Sequence, residues 1–308
     1  MTLHRQALAM DPDSPRLPRE LERIIFELAV QLHRPLAATL ARVASRVKEW
    51  VEAELYRVAI IQEGIGDNLA LLFKHRFPFK AGDILQDRPH RFLDARAILI
   101  WDASPEGYED TVFQHATHLE EIALRREDPN STIGEEGIAA LSHLPIRKLS
   151  VASRKDLEIL FSPSRRLLLF DTLTHLSVLV FNGTRDMLVG LSACHNLTHL
   201  ALNFTHGYWR ESDLATLFEA HRCLDVLVLA FIVGRQDEDP DVTASGLYPL
   251  LPSHMSQRIV CVALDSFFHC DAWIDDVEEA QGIFGYADTI IRQRAREADA
   301  PLAVDDNA

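Results

Sequence analysis

Cysteine is scarce in this chain. Only four occur among 308 residues, Cys194, Cys223, Cys261 and Cys270, and none belongs to a CxxC pair. That usage argues against a disulfide framework and suits a reducing compartment. Basic charge is also in deficit, with 31 Lys and Arg against 46 Asp and Glu, a formal net charge of -15. Such a balance repels phosphate backbones, so no nucleic-acid partner is expected. No window approaches the roughly 18 consecutive apolar residues of a membrane span, so no membrane partner is expected either. The opening MTLHRQALAMDPDSP has no apolar core of signal-peptide length. The expected location is cytoplasmic or nuclear.

Chemistry-bearing motifs are missing as well. "EGIGDN" at 63–68 has too few glycines to cradle a dinucleotide or a phosphate and reads as a turn. No GxSxG nucleophile elbow occurs. His115 and His118, three apart, would share a helical face but have no carboxylate at metalloprotease spacing. Cys261, His269 and Cys270 lack the paired spacing of zinc sites. The acidic run Asp275, Asp276, Glu278 and Glu279 reads as a solvated helix start without calcium-loop spacing. No catalytic residue, metal site or cofactor is expected.

What the chain does have is repetition. An apolar-x-x-apolar-x-apolar hexamer recurs as Leu119-Ile122-Leu124, Ile146-Leu149-Val151, Leu173-Leu176-Val178, Leu197-Leu200-Leu202 and Leu224-Leu227-Leu229. Weaker copies are Ala95-Ile98-Ile100 and Ile259-Val262-Leu264. Successive starts from Ala95 are separated by 24, 27, 27, 24, 27 and 35 residues. That period lies in the leucine-rich-repeat range of about 20 to 29. The hexamer ends in strict alternation, as a strand with one buried face requires. Helical stretches fall between the hexamers at 134–144, 153–161, 184–194 and 211–221, several starting with Ser, Thr or Gly followed by acids. A strand joined through a helix to the next parallel strand is a right-handed crossover unit. The expected fold is therefore α/β, a leucine-rich-repeat-like solenoid of parallel strands with helices on its convex side. The Asn usual eight positions after the first Leu is replaced by Phe181 and Thr205. An ordinary doubly wound α/β domain is the competing architecture, although the phosphate loop of its switch-point crevice is missing.

The organisation expected along the chain is a disordered start at 1–14, a small all-α block at 15–57, the solenoid at 58–270, capping helices at 271–295 and a disordered tail at 296–308. In the all-α block, Leu21, Ile24, Ile25 and Leu28 recur at helical spacing behind Pro18. After His33-Arg34-Pro35, Leu36, Leu40, Val43, Val47 and Val51 make a second helical stripe. Periodicity alone leaves two roles open for this block: a cap on the solenoid end or a docking surface for a partner. In the closing segment, Trp273, Phe284, Tyr286 and Ile290 are expected to cover the last strand.

"LPRELERIIFELA", at 17–29, resembles the opening of F-box and F-box-like domains, and more narrowly the "LPxELExxIFELA" opening common in mushroom-forming fungi. "VASRVKEWV" resembles the later F-box segment, with Val47 where that family usually has Trp and with Trp50 three residues on. The irregular repeats and the closing helices are similar to those of the same fungal families. The resemblance implies that Leu17, Pro18, Leu21, Ile24, Ile25 and Leu28 contact a Skp-type adaptor held by a cullin scaffold. It implies in turn a non-catalytic, substrate-recruiting subunit of a cullin-type (SCF) ubiquitin ligase. The client, an unidentified protein, would lie on the concave face. There, strand residues alternating with the core positions include Trp101, Glu121, Arg125, Lys148, His175, His199 and Asn203. His175 and His199 occupy equivalent repeat positions, where neighbouring strands would stack them. A stand-alone scaffold with a helical cap and an atypical α/β enzyme are the alternatives. A deep polar pocket with converging titratable groups would mark the second.

Overall fold

A computed structural model describes residues 17–62, 79–80, 89–101, 108–126, 132–162, 165, 167–180, 190–204, 211–232, 255, 257–264, 273, 277 and 282–299. The chain divides into two compact units, residues 1–57 and 58–308.

The first unit is all helical: α1 (Arg19–Leu32), a 3-10 turn (Arg34–Leu36), α2 (Ala37–Leu40) and α3 (Ser45–Tyr56). Pro18 is the residue before the helix, not its first. The second apolar stripe does not form one helix. The chain turns at 41–44 between α2 and α3, so Val43 stays exposed while Val47 and Val51 are sealed. Val30, Ala37, Val47, Trp50 and Val51 form the small core, with Phe26, Leu40, Ala41, Ala44 and Leu55 packed around it. Phe26 and Trp50 meet with ring centroids 6.5 Å apart. The Arg46 guanidinium donates to both carboxylate oxygens of Glu22, at 2.9 and 3.1 Å, tying α3 to α1.

The second unit is an α/β structure around a nine-stranded parallel sheet, in spatial order β2-β1-β3-β4-β5-β6-β7-β8-β9. The strands are β1 (Val58–Gln62), β2 (Phe79–Lys80), β3 (Ala97–Trp101), β4 (Glu121–Arg125), β5 (Lys148–Val151), β6 (His175–Val180), β7 (His199–Phe204), β8 (Val226–Ile232) and β9 (Ile259–Leu264). From β3 onward each strand pairs with the next in the chain, without an inversion of order. The described helices between them are α4 (Tyr108–His115), α5 (Glu135–Ser142), α6 (Arg154–Leu160), α7 (Leu169–Thr172) and α8 (Glu211–Ala220). A closing helix, α9, spans Ile283–Asp299.

Register explains the hexamer. Ile98, Ile122, Leu149, Leu176, Leu200 and Leu227 align across the sheet from strand to strand. The first residue of each clear copy and both strand positions are sealed from solvent in one continuous core. Helix residues close that core from one side, among them Phe113, Ile138, Leu157, Phe170, Leu214 and Phe218. Each strand rung is locked at its start by the previous one. The Thr174 hydroxyl donates to the Arg147 carbonyl, and one repeat later Thr198 donates to Thr174, both at 3.1 Å. The duplicated "LTHL" thus does the same structural task twice.

The register also corrects the last copy. Leu227 pairs with Ile259 and Leu229 with Cys261, so Ile259 and Cys261 continue the core, and Val262 turns to the opposite face. The strand begins at Ile259, where the hexamer reading had placed a residue ahead of the strand. β1 lies where the region expected from residue 58 begins, ahead of the first hexamer copy, its Ala59 and Ile61 aligned with Ile98 and Ile100. Phe181 and Thr205, the positions of the missing Asn, lie outside the described residues, as do 1–14, 63–68, His269, Cys270, 275–276 and 278–279.

Two further expectations change. His118 does not share a helix with His115, because α4 ends at His115 and a turn follows. Helix α9 runs to Asp299, past the expected start of the tail at Arg296. Arg, Glu and Ala favour helix there, and Gln293 bonds Glu297 one turn on. No described helix is long and apolar enough to cross a membrane.

Candidate interaction surfaces

In the helical unit, α1 turns its polar-flanked side inward. Glu22, Phe26 and Val30 are spaced four apart and point at α3 and its core. The richer apolar stripe faces out. Leu17, Leu21, Ile24, Ile25 and Leu28 are each 45% to 51% exposed, and Pro18 is exposed beside them. Leu32, Leu36 and Val43 extend the exposed apolar set beyond the motif. Leu32 follows Leu28 at helical spacing, so periodicity alone contained that signal. A stripe of this size left in water is uncommon on a self-sufficient domain and marks a surface that meets something else.

In the sheet unit, the face opposite the helices has three zones. At one end Val58, Ile60, Ala97, Leu99, Trp101 and Ala123 form an apolar cluster with Trp273, and Val277 packs against it. At the other end Ala201, Val226, Val228 and Val260 lie beneath Phe284 and Ala287 of α9, with Ile283, Ile290 and Ile291 beside them. Helix α9 therefore covers the sheet from β7 to β9, more than the last strand alone. Tyr286, expected in that cover, points to solvent.

Between the two apolar zones runs a polar strip on β4 to β7, where the anticipated client residues other than Trp101 fall. The Arg125 guanidinium lies 3.8 Å from the Trp101 ring centroid, a close cation–π contact. Lys148 pairs with Glu121 at 3.5 Å, and the Glu121 side chain is nearly buried. Asn203 donates from Nδ2 to Ser177 Oγ at 2.9 Å and to the Val178 carbonyl at 3.3 Å. His175 and His199 stack with centroids 4.1 Å apart and planes at 9°. Burial, then His199 and Lys148, push the His175 imidazole down to about 3 against an opposing pull from Asp288. His199 Nε2 sits 3.1 Å from Asp288 Oδ1 on α9. Of the seven anticipated residues, Trp101, Glu121 and Asn203 are buried, and Arg125, Lys148, His175 and His199 are half-buried. Asp288 was not foreseen; it stands 89 residues from His199, and no local pattern connects them.

Among the described residues there is no cluster of three side chains fit to hold a metal ion. The Cys194 thiol is buried and pushed up to about 12 by that burial, which leaves it unreactive. His221, also buried, is held below the usual imidazole range by burial and by His195. No protein-family model matches this chain, and no curated protein matches it in sequence.

Proposed function

We propose that this chain is a substrate-recruiting interaction protein, the client-binding subunit of a cullin-type (SCF) ubiquitin ligase, acting in the cytoplasm or nucleus. Leu17, Pro18, Leu21, Ile24, Ile25 and Leu28 would dock a Skp-type adaptor, which joins the chain to a cullin scaffold. The sheet unit is read as a leucine-rich-repeat-like solenoid holding a protein client. This chain would perform no catalysis; the ligase chemistry belongs to other subunits.

One observation carries the reading. The residues that resemble the F-box opening are the ones left exposed, while the helical unit builds its own core from Phe26, Val30, Val47, Trp50 and Val51. An apolar stripe that its own domain does not use fits helix docking against a groove in a partner. Val47, where Trp is usual, supports the same arrangement from inside. It is sealed in the core, and Trp50 supplies the aromatic ring one turn later.

On the sheet unit, the client would approach the polar strip, where Arg125, Lys148 and His175 keep part of their surface. Trp101, Glu121 and Asn203 hold that strip in shape, and His199 fastens α9 beside it.

A pull-down of the full chain with purified Skp-type adaptor tests the docking role. The wild type is expected to bind, and Leu17→Ala with Ile24→Asp to lose binding at unchanged stability, because both residues are half exposed. Absence of binding by the wild type, or binding indifferent to the double substitution, rejects the adaptor role.

A further inference from the structure

The stacked pair of imidazoles lies directly under the closing helix, and its geometry restricts where protons can sit. The Thr174 hydroxyl donates to the Arg147 carbonyl, and Thr198 donates to the Thr174 carbonyl. Each hydroxyl also meets the ring of the His that follows it. His175 Nδ1 is 2.9 Å from Thr174 Oγ1, and His199 Nδ1 is 2.8 Å from Thr198 Oγ1. His199 also presents Nε2 to the Asp288 carboxylate, 3.1 Å away. His199 thus has a polar partner at each ring nitrogen and ties the stack to the closing helix.

Among the described residues, no carboxylate is hydrogen-bonded to the His175 ring. Its ring lies 4.1 Å from His199, with Phe284 edge-on at 5.1 Å. Phe284 meets the His199 ring as well, at 5.8 Å. The other charges facing this point are Lys148 on β5, itself paired with Glu121 on β4, and Asp288 on α9, which has Arg292 3.8 Å away. Among the described residues, only Asp288 favours a proton on His175, and it is already engaged by His199. A charge on His175 would lie under Phe284, against the stacked His199 ring and beside Lys148, where burial already disfavours it.

We propose that the His175–His199 stack is a pH-sensitive latch: α9 stays docked on β7 to β9 while His175 is neutral, and acidification releases it. Undocking removes Phe284 from the two rings and admits water to both. His175 can then take up the proton that the closed state refuses. Release would bare the apolar floor formed by Ala201, Val226, Val228 and Val260. The latch does not depend on what the chain binds.

Linkage sets the sign. In the closed state His175 is held at about 3, against an ordinary value of 6.5. A depressed imidazole contributes stability above its ordinary value and loses it as pH falls toward the lowered one. The opening equilibrium of α9 therefore gains up to about tenfold per pH unit between roughly 6 and 4.

Amide hydrogen exchange of the full chain, followed by mass spectrometry and corrected for the intrinsic pH dependence of exchange, reads this directly. Peptides covering 283–291 should open more readily as pH drops from 7 to 5, by at least tenfold, while peptides from β5 to β7 stay protected. His175→Gln, which has no titrating ring, should flatten that dependence. A flat wild-type profile overturns the latch. So does a His175→Gln variant with the wild-type slope, or loss of protection in the strands together with the helix, which would be global unfolding.

Discussion

Asp156 is a buried charge that joins three parts of the chain. It sits in the first turn of α6, where Ser153 caps its backbone N–H at 3.2 Å. One carboxylate oxygen accepts from Arg126 Nε and the other from the Ile133 backbone N–H, both at 2.9 Å. The carboxylate thereby joins the end of β4, the approach to α5 and the start of α6. Both side chains of the ion pair are sealed from water. Removing one partner strands the other, so Asp156→Ala is expected to cost about 3–5 kcal/mol in denaturant unfolding. Replacing both, as Arg126→Met with Asp156→Leu, should recover much of that loss, because neither charge is then buried alone. Gly190 is constrained by space instead of charge. Its backbone is ordinary helical, where Ala normally stabilises by about 1 kcal/mol. Here an added Cβ would collide with the Phe161 carbonyl oxygen. Gly190→Ala should therefore lower stability, by about 1–3 kcal/mol, against the direction that helix propensity gives.

Among elements, α3 shows how tightly the small helical core is filled. Val47 is fully enclosed between α1 and Trp50. Val47→Trp overfills that space and should destabilise the helical unit by about 1–3 kcal/mol. Trp50→Ala empties it and should cost about 3–5 kcal/mol, since Trp50 also meets Phe26 and the Arg19 guanidinium at 5.9 Å. Circular dichroism melts of the full chain would read both effects. Helix α9 is held both by packing and by polar contacts. Phe284 and Ala287 are buried on the sheet, and Arg294 donates to the Ile259 carbonyl at 2.7 Å.

Across the whole molecule, the two units differ in what holds them. The helical one has a five-residue buried cluster, and the sheet one a core that runs without interruption from β1 to β9. A docking module and a structural cap make opposite predictions for a chain lacking residues 1–57. If the block is a docking module, 58–308 unfolds cooperatively near the parent's midpoint in urea and only adaptor binding is lost. If it is a cap, the transition broadens and moves to lower urea. The docking role favours the first outcome.

The repeat positions were readable from sequence because burial imposes a period. Core sites such as Ile122, Leu149, Leu176 and Leu200 must recur wherever each strand adds to the same core, so spacing alone located them. The exposed stripe of α1 was readable for the same reason, although the choice of Phe26 and Val30 as its inner face was not. Tertiary structure decided what local pattern cannot encode. It brought Asp288 to His199 across 89 residues, set Trp273 over the β1–β3–β4 end of the sheet and placed Ile259 and Cys261 in register with Leu227 and Leu229. Periodicity records which side of an element is buried; which element buries it depends on contacts between residues far apart in the chain.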